Sequence, residues 1–583
     1  MKKFFTTMFA CVFGVLIAGF VMFWIMILSF AGIATLSSSA EYQTSPKTIL
    51  HINLSGILTE RTKEDPMNMI FGDNTETLGL DETLKAISIA KDDKNISGIY
   101  IEANGLSAGV ASINAIRDAL NDFKESGKFI YAYGDNYSQR EYYLSAAADS
   151  VFMNPVGMLD FRGLASEITF YKNLMEKVGI EMQVFKVGTY KSAVEPYIAT
   201  KMSEANKEQT RIYMDAIWSD LLTNLSKSRS IPVLQLNAYA DTLLMTKAPE
   251  TILKYGFVDK LIYRPAFENL LKEKVGIDKD KELTLASVKE IASISQPKNN
   301  AKDKIAVVYA VGEIDGASGD GINTEKLVKD LTKIEADKNI KAVVLRVNSP
   351  GGSAFGSEQV WEALEQIKKA GKPVVASMGD VAASGGYYIS CGANRIFAEP
   401  TTLTGSIGIF GLIPNFGNLL TDKIGLTFDG VKTNKYGTFP NVTSAMTPDE
   451  RLQMQQYVER GYELFTSRCA EGRHMDIAAI KKIAEGRVWD GTTAKKIGLV
   501  DELGSMKDAI EWIAQEANME KYALEEYPKK KGIFEELMEQ FGNKTKTAVL
   551  KSYLGSDYIY FETLKNMREI DPLQCRMEDI VIY

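Results

Sequence analysis

The stretch Asp337-Lys338-Asn339-Ile340-Lys341-Ala342-Val343-Val344-Leu345-Arg346-Val347-Asn348-Ser349-Pro350-Gly351-Gly352-Ser353 decides the fold, because the chain carries a version of it twice. The first copy is Asp93-Lys94-Asn95-Ile96, followed by the strand-like Gly98-Ile99-Tyr100-Ile101-Glu102-Ala103-Asn104. From there the copies part. Against Ser349-Pro350-Gly351-Gly352-Ser353 the first copy sets Gly105-Leu106-Ser107-Ala108-Gly109. Against Ala383-Ser384-Gly385-Gly386 it sets Ser138-Gln139-Arg140-Glu141. Conversely, the first copy has Tyr190-Lys191-Ser192, and near the matching place the second has Tyr436-Gly437-Thr438. One half keeps a serine and the other a lysine.

Outward from the repeat, each strand leads through a glycine-containing turn into a helix. Val110, Ile113, Ile116, Leu120 and Phe123 form a stripe of helical period, and Ala354, Val360, Leu364 and Ile367 fall on equivalent places. Each helix ends at Gly-Lys, 127–128 or 371–372, and a second strand follows, Phe129 to Tyr133 or Pro373 to Ser377. Strand, helix, strand at this spacing predicts parallel α/β units with right-handed crossovers. The repeats also close alike, Lys254-Tyr255-Gly256-Phe257-Val258-Asp259 against Lys496-Ile497-Gly498-Leu499-Val500-Asp501. A period above 200 residues means tandem duplication of a domain. The expected domains are residues 46–290 and 302–517, joined by the polar linker Gln296-Pro297-Lys298-Asn299-Asn300. Residues 518–583 form a tail with no partner in the repeat, in which Ile533 to Phe541 reads as a short amphipathic helix.

At 583 residues the chain is too long for one core. Its 67 basic and 75 acidic residues leave a net charge of −8, which argues against a nucleic-acid partner. The two histidines, His51 in a strand-like run and His474 in a polar helical stretch, read as structural and solvated. They leave no basis for a His-rich metal site, and no cofactor is expected. The four cysteines, Cys11, Cys391, Cys469 and Cys575, form no CxxC pair; the last three read as buried thiols. Residues 1–40 form a stub and an anchor. Lys2 and Lys3 precede an uncharged stretch from Phe4 to Ala40, whose centre, residues 9–34, exceeds the roughly 20 residues that a membrane span needs. The positive-inside rule then puts the lysines in the cytoplasm and the body beyond Glu41 on the far side.

A serine hydroxyl is a weak nucleophile until a base takes its proton. With histidine nearly absent, lysine is the available base, and it must be neutral to act, which burial favours. Lys191 lies in the apolar and aromatic context Tyr190-Lys191-Ser192-Ala193-Val194-Glu195-Pro196-Tyr197. Ser384 precedes two glycines and the apolar Tyr387-Tyr388-Ile389, a place that suits either a plain helix cap or a nucleophile beside free N–H groups. Gly351 and Gly352 follow a strand and read as a tight turn or as further N–H donors.

Three runs, Asn348-Ser349-Pro350-Gly351-Gly352-Ser353, Ala382-Ala383-Ser384-Gly385-Gly386-Tyr387 and Thr404-Gly405-Ser406-Ile407-Gly408, resemble the signal peptide peptidase A (protease IV) family in its long, tandem-domain form. So does Gly188-Thr189-Tyr190-Lys191-Ser192-Ala193-Val194-Glu195-Pro196. The resemblance runs from the anchor to about Ser505. It implies two tandem Clp/crotonase-like α/β domains of repeated β-β-α units after one transmembrane helix. It implies a serine endopeptidase with a Ser-Lys dyad: Ser384 as nucleophile, Lys191 as general base and Ser406 orienting the lysine. Gly351 or Gly352, with Gly385, would form the oxyanion hole. The first-half counterparts Ser107, Ala108 and Gln139 lack this chemistry, so one active site per chain is expected. The implied substrates are remnant signal peptides, apolar fragments released from preproteins. The implied assembly is a homo-oligomer, a tetramer, on the outer side of a bacterial inner membrane. Two other readings stand beside it. One is an inactive membrane scaffold, and the other is an acyl-CoA hydratase or isomerase of the same superfold, which a body outside the cytoplasm would keep from its substrate.

Overall fold

The computed structural model describes residues 3, 6–10, 12–22, 24, 42–62, 77–295, 301–316, 321–530 and 573–578. Cys11, the linker 296–300, the helix expected at 533–541 and residues 25–34 of the anchor lie outside them. The described residues from 3 to 24 are helical, and Phe13, Leu16 and Phe20 are exposed. Among the described residues no helix is long and apolar enough to cross a membrane.

The two copies of the repeat build two sheets. The first is seven-stranded and parallel, in the order Thr77–Gly79, Thr48–Thr59, Ile96–Ser107, Phe129–Gly134, Ser150–Met153, Lys260–Leu261, with Leu285–Ser287 beside Thr48–Thr59. The second is eight-stranded. Its path runs Val488–Asp490, Leu403–Gly405, Val374–Ala383, Ile340–Ser349, Lys304–Val311, Ala523–Tyr527, and Arg395–Ala398 and Glu502–Leu503 extend it from Val374–Ala383. Its central strands read as near-continuous apolar runs because both faces are covered, as parallel sheets require. Val343, Val344 and Leu345 are fully buried. Leu327, Leu331, Val360 and Leu364 cover one face, and Ala509 and Ile513 the other. The helical stripe holds too: Ile113, Ile116, Leu120 and Phe123 are fully buried.

The duplication extends to single hydrogen bonds. Asn95 and Asn339 each donate a backbone N–H, at 2.8 Å, to the aspartate two residues before. Lys128 and Lys372 reach back across the strand to cap carbonyls near the end of the helix before it, Ala90 or Ile334, and that of Asp93 or Asp337. Asp259 pairs with Arg229 as Asp501 pairs with Arg473. The β-β-α unit itself appears as Ile340–Ser349, Gly351–Ser353 and Ala354–Lys369, whereas the first sheet mainly alternates single strands with helices. The difference has a local cause. Gly351 and Gly352, at φ 102° and 153°, turn the second-half chain into a short extra strand.

Two segments cross the boundaries that the repeat suggests. Ala523–Tyr527 lies past residue 517 yet forms the edge of the second sheet, parallel to Lys304–Val311. Glu181–Lys186, from the first half, pairs antiparallel along six positions with Phe410–Asn415 of the second. Phe185 on that strand is buried in the second-half core. A buried ion pair also ties the halves. Arg346 donates Nε and Nη2 to the two carboxylate oxygens of Glu60 at 2.9 and 3.0 Å. Both side chains are at most 5% exposed. Nη1 of Arg346 reaches Ser377 Oγ and the Met378 carbonyl, and Asn348 donates to Glu60 as well.

Removing one member of such a pair strands the other charge in the core. Glu60→Ala should lower stability by about 3–5 kcal/mol, read as a lower denaturant midpoint. The double variant Glu60→Ala/Arg346→Met should recover a large part of that loss.

Candidate active site

Ser384 sits where the strand Val374–Ala383 meets the helix Gly385–Ser390. Its backbone is strained, with φ 56° and ψ −113°, a region that residues other than glycine rarely occupy. Its N–H donates to the Gly405 carbonyl at 2.7 Å, which pins that conformation. Close packing explains the following glycines. A Cβ on Gly385 would lie 2.7 Å from Ser357 Oγ, and one on Gly386 2.6 Å from the Ser349 carbonyl oxygen.

Lys191 reaches Ser384 from the first half. The strand Glu181–Lys186, held in the second-half sheet, delivers the chain to Gly188 at φ 106°. Tyr190 N–H then donates to the Glu485 carbonyl at 2.9 Å. Gly188 and Gly486 permit this approach. A Cβ on Gly188 would come within 2.4 Å of the Glu485 carbonyl group, and one on Gly486 within 2.6 Å of Lys191 Cβ. Gln209 braces the loop from behind: its Nε2 donates to the Tyr190 carbonyl and Ser192 Oγ, and its Oε1 accepts from Val488 N–H.

The structure thus brings together the three side chains singled out in the sequence. Lys191 Nζ lies 2.7 Å from Ser384 Oγ and 3.1 Å from both Ser406 Oγ and the Ser406 carbonyl oxygen. All three residues are at most 1% exposed. Ser406 also has a positive φ, 49°, fixed by its N–H bond to the Arg487 carbonyl at 2.7 Å. Burial pushes Lys191 down to about 7, against weaker pulls upward from Cys575 and Glu578. A lysine at that value is substantially neutral near neutral pH, which is the state a base requires.

The two candidate glycines differ in what their N–H groups face. Gly351 N–H donates to Ser349 Oγ at 3.2 Å. Gly352 stands in register with Cys575 on the neighbouring antiparallel strand Leu573–Arg576. Met577 N–H donates to the Pro350 carbonyl, so by the alternation of an antiparallel ladder Gly352 and Cys575 form the next hydrogen-bonded pair. Gly352 N–H therefore points at the same carbonyl that Gly385 approaches: the Cys575 oxygen lies 2.1 Å from a Cβ built on Gly351 and 3.1 Å from one built on Gly385.

The first half shows what became of the equivalent place. Gln139 accepts from the N–H groups of Arg162 and Gly163 and donates to the Gly163 carbonyl, pinning a loop. Glu141, buried, accepts from Gly105 N–H at 2.6 Å and Leu106 N–H at 3.2 Å. Its other oxygen binds Ser138 N–H and Oγ. The carboxylate thus ties the helix start to the end of the strand Ile96–Ser107. Sequence reasoning passed over Glu141, although it stands where the second half has Gly386 and three residues after a capping serine. It also passed over Glu578, which is buried, accepts from Asn206 Nδ2 and is pushed up to about 7 by burial. The repeat held no signal for Glu578. His51 hydrogen-bonds Glu102 at 2.8 Å within the first sheet, a structural place.

Known proteins resemble this chain along most of its length. The family model described as Peptidase family S49 matches residues 122–296 and 366–520, and one described as Clp protease matches residues 311–403. Protease 4 of Salmonella typhi is 36% identical over 520 residues, 86% of this chain and 84% of that protein. Protease 4 of Haemophilus influenzae is 34% identical, covering 87% of this chain and 84% of its own length. Serine protease SPPA, chloroplastic, of Arabidopsis thaliana is 30% identical over 84% of this chain and 72% of its own length.

The lowered lysine has a thermodynamic signature. Between about pH 7 and the unfolded value of 10.5 the unfolded chain binds the extra proton, so stability rises with pH across that window. Lys191→Met should remove this dependence. It should raise the unfolding midpoint most at pH 7 and below, and progressively less towards pH 10, in pH-resolved denaturation.

Proposed function

The chain belongs to peptidase family S49 and is a serine peptidase, and on that premise we propose that Ser384 is its nucleophile and Lys191 its general base. The observation that carries this reading is the buried 2.7 Å separation of Lys191 Nζ and Ser384 Oγ. Neutral Lys191 takes the hydroxyl proton as Ser384 Oγ attacks a peptide carbonyl carbon. Ser406, bonded to Nζ through both its hydroxyl and its carbonyl, aims the amine at Oγ and favours the ammonium as it forms. The N–H groups of Gly352 and Gly385 receive the developing oxyanion in a water-poor setting, where such donors act most strongly. Lys191 then gives its proton to the leaving amine, and water, deprotonated by the same lysine, hydrolyses the acyl-enzyme. The chain's own side chains supply each proton transfer in this scheme.

The substrates we assign are remnant signal peptides, apolar fragments left in the bilayer after release from preproteins. The support is the uncharged run from residue 4 to residue 40, which reads as an anchor holding the peptidase where such fragments lie. Lys2 and Lys3 orient that anchor with the body outside the cytoplasm of a bacterial inner membrane. We assign a homo-oligomer, a tetramer, from the sequence resemblance. An assembly of that kind would admit extended peptides and exclude folded proteins.

Ser384→Ala and Lys191→Ala should each lower kcat/KM for a reporter peptide by roughly 10⁴-fold or more in a chain that stays folded. Appreciable turnover by either variant would refute the pair. Because the base acts when neutral, kcat/KM should climb about tenfold per pH unit below about pH 7 and level off above pH 8. A profile flat from pH 6 to 9 would rule out Lys191 as the base.

A further inference from the structure

We propose that a cavity between the two halves, beside the first half's lost catalytic position, is a second substrate site that holds apolar residues on the leaving side of the scissile bond. The proposal rests on the peptidase reading of the Ser384 site and adds to it which part of a peptide is selected, and where. The cavity has a volume of about 640 Å³, within the roughly 300–1,000 Å³ usual for ligand sites. Both halves build it. Val110, Leu164 and Ile217 come from the first, and Pro350, Val381 and Leu403 from the second. Ser107 and Gln139, the counterparts of Gly351 and Ser384, line it too. The place that carries chemistry in one copy thus borders, in the other, a space that the two copies share.

The walls set the chemistry of the occupant. Polar groups that could select a polar ligand are already engaged. Asp380 accepts from Ser112 N–H and Oγ at 2.9 and 2.6 Å. Arg162 pairs with Asp160 at 3.2 Å, and Gln139 is committed to the loop at Arg162 and Gly163. The rest of the lining is largely hydrocarbon: Ile217 and Leu403 belong to one buried cluster, against which Val110, Leu164 and Val381 pack. A ligand gains free energy there by taking apolar side chains out of water, and loses it by bringing in a charge.

Continuity with the catalytic groove identifies the occupant. The sheet at Gly351–Ser353 pairs antiparallel, and the Pro350 carbonyl accepts the N–H two residues after the one that faces Gly352. A peptide whose scissile carbonyl faces Gly352 in that direction brings its second residue past the bond to Pro350, which is itself part of the cavity wall. Residues from there on pass out of the groove into the cavity. Their burial is remote from the reacting atoms, and binding energy of that kind can be used to hold the carbonyl in place for attack. The cavity therefore favours a cut inside an apolar stretch over removal of a single terminal residue.

The test uses the full chain and three reporter peptides that share the residues before the scissile bond. One ends there in a small arylamine, one continues with four leucines and one with four serines. The parent chain should hydrolyse the leucine reporter with a kcat/KM about tenfold or more above that for the serine reporter. Val110→Trp, which fills the cavity, and Leu164→Asp, which puts a charge into it, should each bring that ratio close to unity. Both should leave kcat/KM for the arylamide unchanged, which also shows that the variants fold. In a Ser384→Ala background the leucine reporter, fluorescently labelled, should bind saturably, and adding Val110→Trp should weaken that binding about tenfold. Equal rates on the two extended reporters in the parent, or a parallel fall on all three in both variants, would overturn the proposal. A changed assembly mass in the variants with the selectivity kept would overturn it in favour of a contact between copies of the chain. Binding as expected, with no hydrolysis of any reporter by the parent, would sink the peptidase reading and leave the cavity a peptide site.

Discussion

Everything at the centre of this molecule depends on keeping one lysine uncharged. Moving the Lys191 ammonium from water into a site 1% exposed lowers its pKa from 10.5 to about 7. At neutral pH that costs the fold about 4 kcal/mol relative to an exposed lysine. The surrounding structure offsets this with two ordinary devices. Glycines at 188 and 486 let two backbones meet without a Cβ between them, and Ser406 supplies two oxygens to a group that would otherwise have lost its water. The lysine is therefore placed by backbone contacts across the two halves and not by a charged partner, which would have pinned it in the protonated state.

The duplicated halves resolve the same geometry in opposite ways. In the second half the turn after the strand is opened by Gly351 and Gly352, and the helix that follows Ser384 begins with Gly385 and Gly386. In the first half Glu141 stands at the position of Gly386, its carboxylate held by two backbone N–H groups and a serine. A buried carboxylate with such donors is stable without a counter-cation, because each oxygen is satisfied by hydrogen bonds. The first half keeps a carboxylate where the second has Gly386, and its strand Glu181–Lys186 leads into the loop that sets Lys191 beside Ser384.

Much of this was legible from residues alone. Continuous apolar runs and a 3.6-residue stripe located the paired strands and the helices over them, since burial on a parallel sheet leaves a strong signal in Val343–Leu345 and in Ile113, Ile116 and Leu120. The complementary losses pointed to Lys191 and Ser384, which the structure brings within 2.7 Å. Other features left no such mark. Glu60 and Arg346 are 286 positions apart, and nothing local in either announces an ion pair. Leu573-Gln574-Cys575-Arg576 has no alternation and no partner in the repeat, so its place in a sheet follows only from the groove that receives it. Glu181–Lys186 reads as part of the first repeat, because its pairing depends on a strand more than two hundred residues on.

That distant pairing has a consequence for synthesis. As the chain leaves the ribosome, the first sheet is complete once Leu285–Ser287 has emerged, but Glu181–Lys186 has no strand to join until Phe410–Asn415 appears. At about 5–20 residues per second that interval is roughly 10–50 s. Throughout it the nascent protein carries an unpaired edge strand, a hazard for mispairing between neighbouring chains on one messenger. It also carries Lys191 without the Ser384 hydroxyl that meets it in the finished fold. With the Lys191–Ser384 pairing we propose, the peptidase cannot cleave other chains until much of its second half has been made.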